Sequence, residues 1–234
     1  MTASKAEVVA QSEQLVVSQD VTSFLRLRTS LYLATKRIFD IFASIIGLIL
    51  AAPIMLGVAL AIKCQDGGKV FYKQTRVGKN GKHFQIYKFR SMVKNADEAL
   101  KNLLTTDSEA AKEFKKTQKL KNDPRITKIG KFIRKTSLDE LPQLLNILNG
   151  SMSLVGPRPL IVGEIEEHHG DKDFYESVRP GLTGWWGCNG RSDTDDYEER
   201  LELEYYYVSN CSIKLDTKII FKTALSVLGQ KGAE

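Results

Sequence analysis

The chain has 234 residues, 42% of them hydrophobic and 26% charged, with a net charge of +6. That length suits one domain plus an appendage. The basic excess points to nucleic acid, an anionic membrane surface or an anionic substrate. No zinc-finger spacing or other nucleic-acid-binding motif is present, so nucleic acid is set aside in favour of membrane and phosphate. Cys64, Cys188 and Cys211 have neither metal nor redox spacing, and an odd number of scattered thiols fits a reducing compartment.

Residues 1–32 form an N-terminal extension, polar at first and without the basic-then-apolar pattern of a secretory leader. Residues 1–20 are expected to be mobile, and residues 24–32 to form a short helix leading to the next segment. Residues 38–62 are almost wholly apolar, interrupted by Asp40 and Ser44. As a straight helix this stretch would be about 37 Å long, enough to cross a bilayer. Two features favour a re-entrant hairpin over residues 33–65. Pro53 breaks a backbone hydrogen bond past the middle and permits a bend. Lys36 and Arg37 precede the stretch and Lys63 and Lys69 follow it, so the positive-inside rule singles out no outer end. A bent helix can also span, and the residues alone leave that alternative open.

Residues 66–234 read as a catalytic domain at the membrane surface. Residues 70–92 predict two short strands joined by the turn Gly78-Lys79-Asn80-Gly81-Lys82. Gln74, Arg76, Lys88 and Arg90 bring donors suited to phosphate. Residues 96–120 are helical in character and heavily charged, with a break near Thr105-Thr106-Asp107. Asn122-Asp123-Pro124-Arg125 reads as a turn. Residues 126–135 place Ile129, Phe132 and Ile133 at helical spacing among Lys128, Lys131, Arg134 and Lys135. Such a basic amphipathic helix suits a membrane surface; a plain surface helix is the alternative.

The densest chemistry lies in Ser137-Leu138-Asp139-Glu140-Leu141-Pro142-Gln143-Leu144-Leu145-Asn146. Ser137 and Glu140 have the spacing of a capping box, and Pro142 fits a first helical turn. Leu141, Leu144, Leu145 and Leu148 predict one apolar helix face. Asp139 and Glu140 would then lie near a positive helix end, with Arg134 and Lys135 upstream. That setting keeps carboxylates ionised and suits them to bind a divalent metal or attack phosphorus. The plain alternative is a helix cap with solvated charges.

Further on, residues 151–159 predict a turn-rich strand and loop in which Pro157 and Pro159 fix the backbone of Arg158, a rigid anion clamp. Residues 179–185 form a second rigid loop. Trp185 and Trp186 suit core or interface better than base stacking. Residues 213–228 are amphipathic, with Lys214, Lys218 and Lys222 on one side and Ile213, Ile220, Ala224 and Val227 on the other. They either rest on headgroups or form a solvated stripe. His83, His168 and His169 have no partner spacing.

Taken together, Lys36-Arg37-Ile38-Phe39-Asp40, Lys88-Phe89-Arg90-Ser91-Met92, Asp139-Glu140, Gly156-Pro157-Arg158-Pro159 and Arg179-Pro180-Gly181-Leu182-Thr183-Gly184-Trp185 resemble, in order, the bacterial sugar transferase family. These are the monotopic phosphoglycosyl transferases that start lipid-linked glycan synthesis, and the resemblance covers roughly residues 33–230. It implies an α/β fold class: a mostly helical, membrane-associated catalytic core with a small β-hairpin, a re-entrant helix bent at Pro53, and interfacial amphipathic helices.

The implied activity is transfer of a hexose 1-phosphate, such as that of galactose or glucose, from a UDP-sugar to polyprenol (undecaprenyl) phosphate. UMP is released at the cytoplasmic face of the bacterial inner membrane, on the way to exopolysaccharide, capsule or O-antigen. Magnesium is the implied cofactor. The resemblance assigns Asp139 as nucleophile and metal contact, and Glu140 as its acidic partner. Lys88, Arg90, Arg134, Gln143, Pro157, Arg158 and Pro159 become the substrate-binding set.

Membrane lipids are the other implied partners, with no nucleic acid, and a homodimer is left open. Asn210-Cys211-Ser212 departs from relatives that carry an aromatic residue before the serine. Gly190-Arg191-Ser192 resembles hexose-transferring members. Two rivals remain: a polyprenol-phosphate-dependent glycosyltransferase that releases UDP, and a non-enzymatic basic membrane scaffold.

Overall fold

The structure is a computed structural model. It describes the backbone of residues 5–117, 120, 122–189 and 197–228, and side chains from residue 29 onward except at 115–117 and 227–228. The expectations for residues 1–4, for Gly190-Arg191-Ser192 and for the side chain of Val227 fall outside the described residues. By contact the chain divides into two units, residues 1–39 and 40–234. The first contributes the opening part of α1, which runs Lys5–Asp66. The separate short helix expected over 24–32 is thus part of one continuous helix, and Pro53 lies inside it.

Within the second unit, α1 packs along one side of the body. Asp40 Oδ1 accepts a hydrogen bond from Leu154 N at 3.0 Å. Gly47 abuts the Leu144 side chain, and Leu48 packs with Ile86, Ile147 and Met152. Val58 and Ile62 are buried against Phe89 and Ile133. Asp40 to Ile62 is about 33 Å of helix, and both ends of that stretch touch the same body. Phe42, Ile46, Ile49, Leu50, Ile54, Leu56 and Leu60 face outward and are exposed. The stretch Thr29–Asp66 is long and apolar enough to cross a membrane.

Next come β1 (Phe71–Val77) and β2 (His83–Phe89), the expected antiparallel hairpin. Asn80 and Gly81 take positive φ in the turn between them. Two helices follow, α2 (Ala96–Thr106) and α3 (Ser108–Thr117), broken at Asp107 as the sequence predicts. Asp107 Oδ1 caps α3 by accepting from Glu109 N and Ala110 N. The turn at Asp123 is tied by a buried two-pronged ion pair to Arg125.

The expected basic helix is α4 (Lys128–Lys135), capped by Thr127, whose Oγ1 accepts from Gly130 N. Ile133 is fully buried, but Phe132, expected on the same face, is 60% exposed. A one-turn 3-10 helix over Leu138–Glu140 leads into α5 (Gln143–Leu148). There the buried apolar residues are Leu144 and Ile147, whereas Leu145 is exposed. The helix is only six residues long, and contact with Ile86 and Met152 selects its inner side.

Then follow β3 (Ser153–Val155), α6 (Glu164–Glu167), α7 (Lys172–Tyr175) and β4 (Gly181–Thr183). β3 and β4 pair in parallel, a second small sheet that the pattern of the sequence does not predict. The chain ends in α8 (Trp185–Asn189), α9 (Tyr197–Asn210) and α10 (Ile213–Leu228). The inner face of α10 is Leu215 and Ile219, packed on Val155 and Tyr207. Ile213, expected on that face, is exposed together with Phe221 and Leu225. The helical period is right. Two apolar stripes compete for the core, and the position of α9 decides between them. The fold is therefore mostly helical, with two two-stranded sheets.

Candidate active site

The site is built around the Lys-Phe-Arg-Ser-Met segment at the end of β2, where each residue holds a different neighbour. Lys88 Nζ pairs with Glu140 Oε1 at 2.7 Å. Phe89 is buried between Ile62 and Ile133. Arg90 donates to Asp66 at the end of α1. Ser91 O accepts from Thr127 N, and Ser91 Oγ accepts from Arg134 Nε at 2.8 Å. Met92 bridges to Ile126. One short segment thus ties α1 and α4 to the acidic turn. A Cβ on Gly130 would stand 1.8 Å from Ser91 O, so only glycine lets α4 approach this closely.

Two sequence expectations are corrected at the acidic turn. Ser137 forms no cap: it sits in the left-handed region at φ 55°, and its side chain makes no cap bond. Glu140 turns to Lys88 instead of back to Ser137, so the capping box is replaced by an ion pair. Pro142 directly precedes α5 in helical conformation. The second correction concerns ionisation. Burial raises the pKa of Asp139, the neighbouring Glu140 raises it further, and Lys88 and Arg134 act against both. The 3-10 turn places Asp139 inside the body before α5 begins, so desolvation outweighs the cations.

Glu140 and Asp139 differ in what they touch. Glu140 is held by Lys88. The Asp139 carboxylate makes no hydrogen bond to another side chain among the described residues. It is buried and makes no ion pair among those residues; its own backbone N–H and the nearby charges of Lys88 and Arg134 favour the ionised form. Gln143 is buried on the first turn of α5. Arg90 is committed to Asp66, and its side chain is largely buried.

The Pro-Arg-Pro loop is placed by β3 and β4. Gly181 N donates to Pro157 O and Gly156 N to Thr183 O. A Cβ on Gly181 would stand 2.1 Å from Gly156 N. Glycine at both positions lets the two motif loops lie backbone to backbone. Arg158 N donates to Glu204 Oε1 at 3.1 Å, and Tyr175 OH donates to Arg158 O at 2.8 Å. The Arg158 side chain reaches Glu164 at 3.0 Å. Lys88, Arg134, Asp139 and Glu140 are therefore brought together, and Arg158 is positioned by another set of residues. Sequence reading missed Tyr175, Glu164, Arg200 and Glu204 in that set. Arg200 and Glu204 stand four apart on α9, a weak signal, because solvated helix pairs show the same spacing.

Among the described residues no group of three or more metal-ligating side chains is present. Magnesium does not require one, since it is commonly held by one or two carboxylates together with substrate phosphate and water. Asp139, whose carboxylate is in no ion pair among the described residues, and the adjacent Glu140 fit that demand.

Comparison with known proteins shows which family the chain resembles. A family profile described as "Bacterial sugar transferase" matches residues 31–230. The chain is 51% identical over 209 residues to the undecaprenyl-phosphate galactose phosphotransferase of Salmonella typhimurium, covering 89% of this chain and 43% of that protein. It is 44% identical over 198 residues to the exopolysaccharide production protein ExoY of Rhizobium meliloti, covering 85% of this chain and 87% of that protein. It is 39% identical over 205 residues to the UDP-glucose:undecaprenyl-phosphate glucose-1-phosphate transferase of Escherichia coli, covering 85% of this chain and 41% of that protein. The chain thus spans less than half the length of the Salmonella and Escherichia proteins and most of the length of the Rhizobium one. With a profile match over most of its length and 51% identity across 209 aligned residues with one relative, this chain belongs to the bacterial sugar transferase family.

Proposed function

We propose that this chain transfers a hexose 1-phosphate from a UDP-sugar to undecaprenyl phosphate and releases UMP. The observation that carries the reading is the buried carboxylate of Asp139, held by no ion pair among the described residues, beside Lys88 and Arg134. An Asp139 oxygen attacks the sugar-bearing phosphorus, the bond from that phosphorus to the UMP oxygen breaks, and UMP leaves with the electron pair. The lipid phosphate then attacks the same phosphorus and frees the carboxylate. Lys88 and Arg134 screen the charge that the carboxylate meets on approaching a diphosphate. Asp139 and Glu140 would hold magnesium, which neutralises diphosphate charge when bound. Lys88 fixes Glu140 beside Asp139 through their ion pair. The rigid loop around Arg158 offers a fork for phosphate.

Its site of action on this reading is the cytoplasmic face of the inner membrane, with residues 40–62 re-entrant. A helix whose Asp40 end and Ile62 end both pack on one body supports re-entry, since a spanning helix carries one end across the bilayer. The exposed apolar side chains between those ends suit lipid. The test omits the lipid acceptor. Enzyme with UDP-sugar labelled in the sugar should release UMP, and label should remain on the denatured protein. Release of UDP instead would make the chain a glycosyltransferase, and fast turnover with no trapped label would indicate direct attack by the lipid phosphate.

A further inference from the structure

Three guanidinium groups converge on one carboxylate. Glu164 Oε1 takes Arg158 Nη1 at 3.0 Å and Arg200 Nη2 at 3.2 Å, and Arg76 Nη1 lies 4.0 Å from Oε2. The arginines come from the Pro-Arg-Pro loop, α9 and β1, three stretches that only the fold unites. Their charge is not balanced by Glu164 alone. The other carboxylate nearby among the described residues, Glu204, is fully buried and pushed up to about 7 by that burial. It therefore carries only part of a charge at neutral pH. Arg76 is lowered to about 10 by burial, with Arg158 and then Arg200 adding repulsion. Nε of Arg76 and Nε of Arg200 are buried donors without a partner among the described residues.

The trio is also held in place before any ligand arrives. The Arg200 guanidinium lies 5.0 Å from the Trp186 ring and 4.8 Å from the Tyr197 ring. Arg76 is fixed by Gln74 Oε1 at 2.7 Å and Pro159 O at 3.1 Å. Arg158 is fixed through its backbone by Glu204 and Tyr175. The side chains of Arg76, Arg200 and Glu164 are 11–14% exposed and that of Arg158 is 36% exposed, so the cluster opens to solvent at Arg158. Forked, preset cations that the carboxylates among the described residues only partly neutralise suit an anion with more acceptor oxygens than a carboxylate.

In the hairpin Arg76 pairs with Phe84, and Lys88 pairs with Tyr72. Arg76 and Lys88 therefore stand on one face, four rungs and about 13 Å apart along the strand. The trio lies at the other end of that face from the Lys88–Glu140 pair.

We propose that Arg76, Arg158 and Arg200 form a second phosphate subsite, held in the free protein by the carboxylate of Glu164, which a substrate phosphate displaces. The inference rests on reading Arg158 as a phosphate ligand. It adds two further ligands and an internal competitor that weakens binding and so eases release. The phosphate belongs either to the nucleotide or to the lipid carrier, and the probes below separate them.

The test is calorimetric titration of the full chain in detergent micelles with pyrophosphate, UMP and a short-chain prenyl phosphate. Glu164→Gln keeps the size and removes the charge, so a probe should bind about tenfold tighter. Arg76→Lys and Arg200→Lys keep the charge and lose the fork, so the same probe should bind about tenfold weaker. A gain with UMP assigns the nucleotide, and a gain with prenyl phosphate assigns the carrier. Equal or weaker binding by a folded Glu164→Gln protein makes Glu164 a structural ion-pair partner and overturns the proposal. If that variant does not fold, unchanged affinity in both lysine variants overturns it equally. Failure of every probe to bind wild type and Glu164→Gln does the same. Asp139→Asn should retain probe binding while losing turnover. Absence of UMP release by wild type would count against the transferase reading alone, since probe binding is scored without turnover.

Discussion

Lys88 and Glu140 form an ion pair at 2.7 Å, and next to them the Asp139 carboxylate is buried with no ion pair of its own among the described residues. Adjacent acids thus have unlike environments. One is paired by contact, and the other meets Lys88 and Arg134 only through space. On the proposed mechanism the nucleophile must not be engaged in an ion pair when its substrate arrives, and this division would leave Asp139 available.

Asp139→Asn should abolish turnover, with a fall of at least about a thousandfold, while leaving the protein folded, because shape is kept and the nucleophilic charge of the carboxylate is lost. Asp139→Glu should fail as well, since an added methylene moves the carboxylate by more than about 1 Å. UMP release and circular dichroism measured together check both variants. Near-normal rates in Asp139→Asn would remove the residue from the chemistry.

The pH profile should carry the mark of burial. Because burial raises Asp139, the acid limb of kcat/KM should lie above the ordinary carboxylate value of about 3.9. Lys88 favours the ionised form, so Lys88→Met should move that limb to still higher pH in addition to lowering the rate. A limb that moves to lower pH would contradict the assignment.

Glu204 offers a stability test separate from catalysis. Its folded value, about 7, is above its ordinary value of 4.5, so the folded state binds the extra proton between those limits. Stability from this group is full below about 4.5, falls as pH rises towards 7, and is flat beyond. The total is of order 3 kcal/mol for a shift of this size. Thermal unfolding scans from pH 5 to 8 should show Glu204→Gln with a flatter profile than wild type. Parallel profiles would show that Glu204 does not titrate there.

Gly130→Ala should destabilise severely, by roughly 1–3 kcal/mol or more, through overpacking. The new Cβ would stand 1.8 Å from the backbone of Ser91, which has no rotamer to escape into. Denaturant unfolding of the detergent-solubilised chain measures the loss. Gly57→Ala, where nothing lies within 4 Å of the new Cβ, is the control.

For topology, single cysteines placed at Lys36 and Lys69 in a chain lacking its native thiols should both resist membrane-impermeant labelling from outside intact cells. Labelling of either one would favour a spanning helix. Pro53→Leu removes the break in the helical hydrogen bonding and should favour spanning.

The sequence by itself determined the local elements with strong periodicity or turn chemistry. The hairpin around Asn80, the break at Asp107, the basic helix within residues 126–135 and the long apolar helix follow from spacing and residue type, because they depend on neighbours along the chain. The ordered motifs likewise singled out Lys88, Asp139 and Arg158. Tertiary structure decided what depends on distant partners. It selected Leu215 and Ile219 over Ile213 as the inner side of α10, turned Glu140 to Lys88 instead of Ser137, and committed Arg90 to Asp66. It also gathered Arg76, Arg158 and Arg200 on Glu164 from across more than a hundred residues of chain. Nothing in local spacing can reveal such a cluster. Its charges meet only after Gly156 and Gly181 let the two loops touch, and desolvation, which raises Asp139 despite its cations, exists only once the core has closed around it.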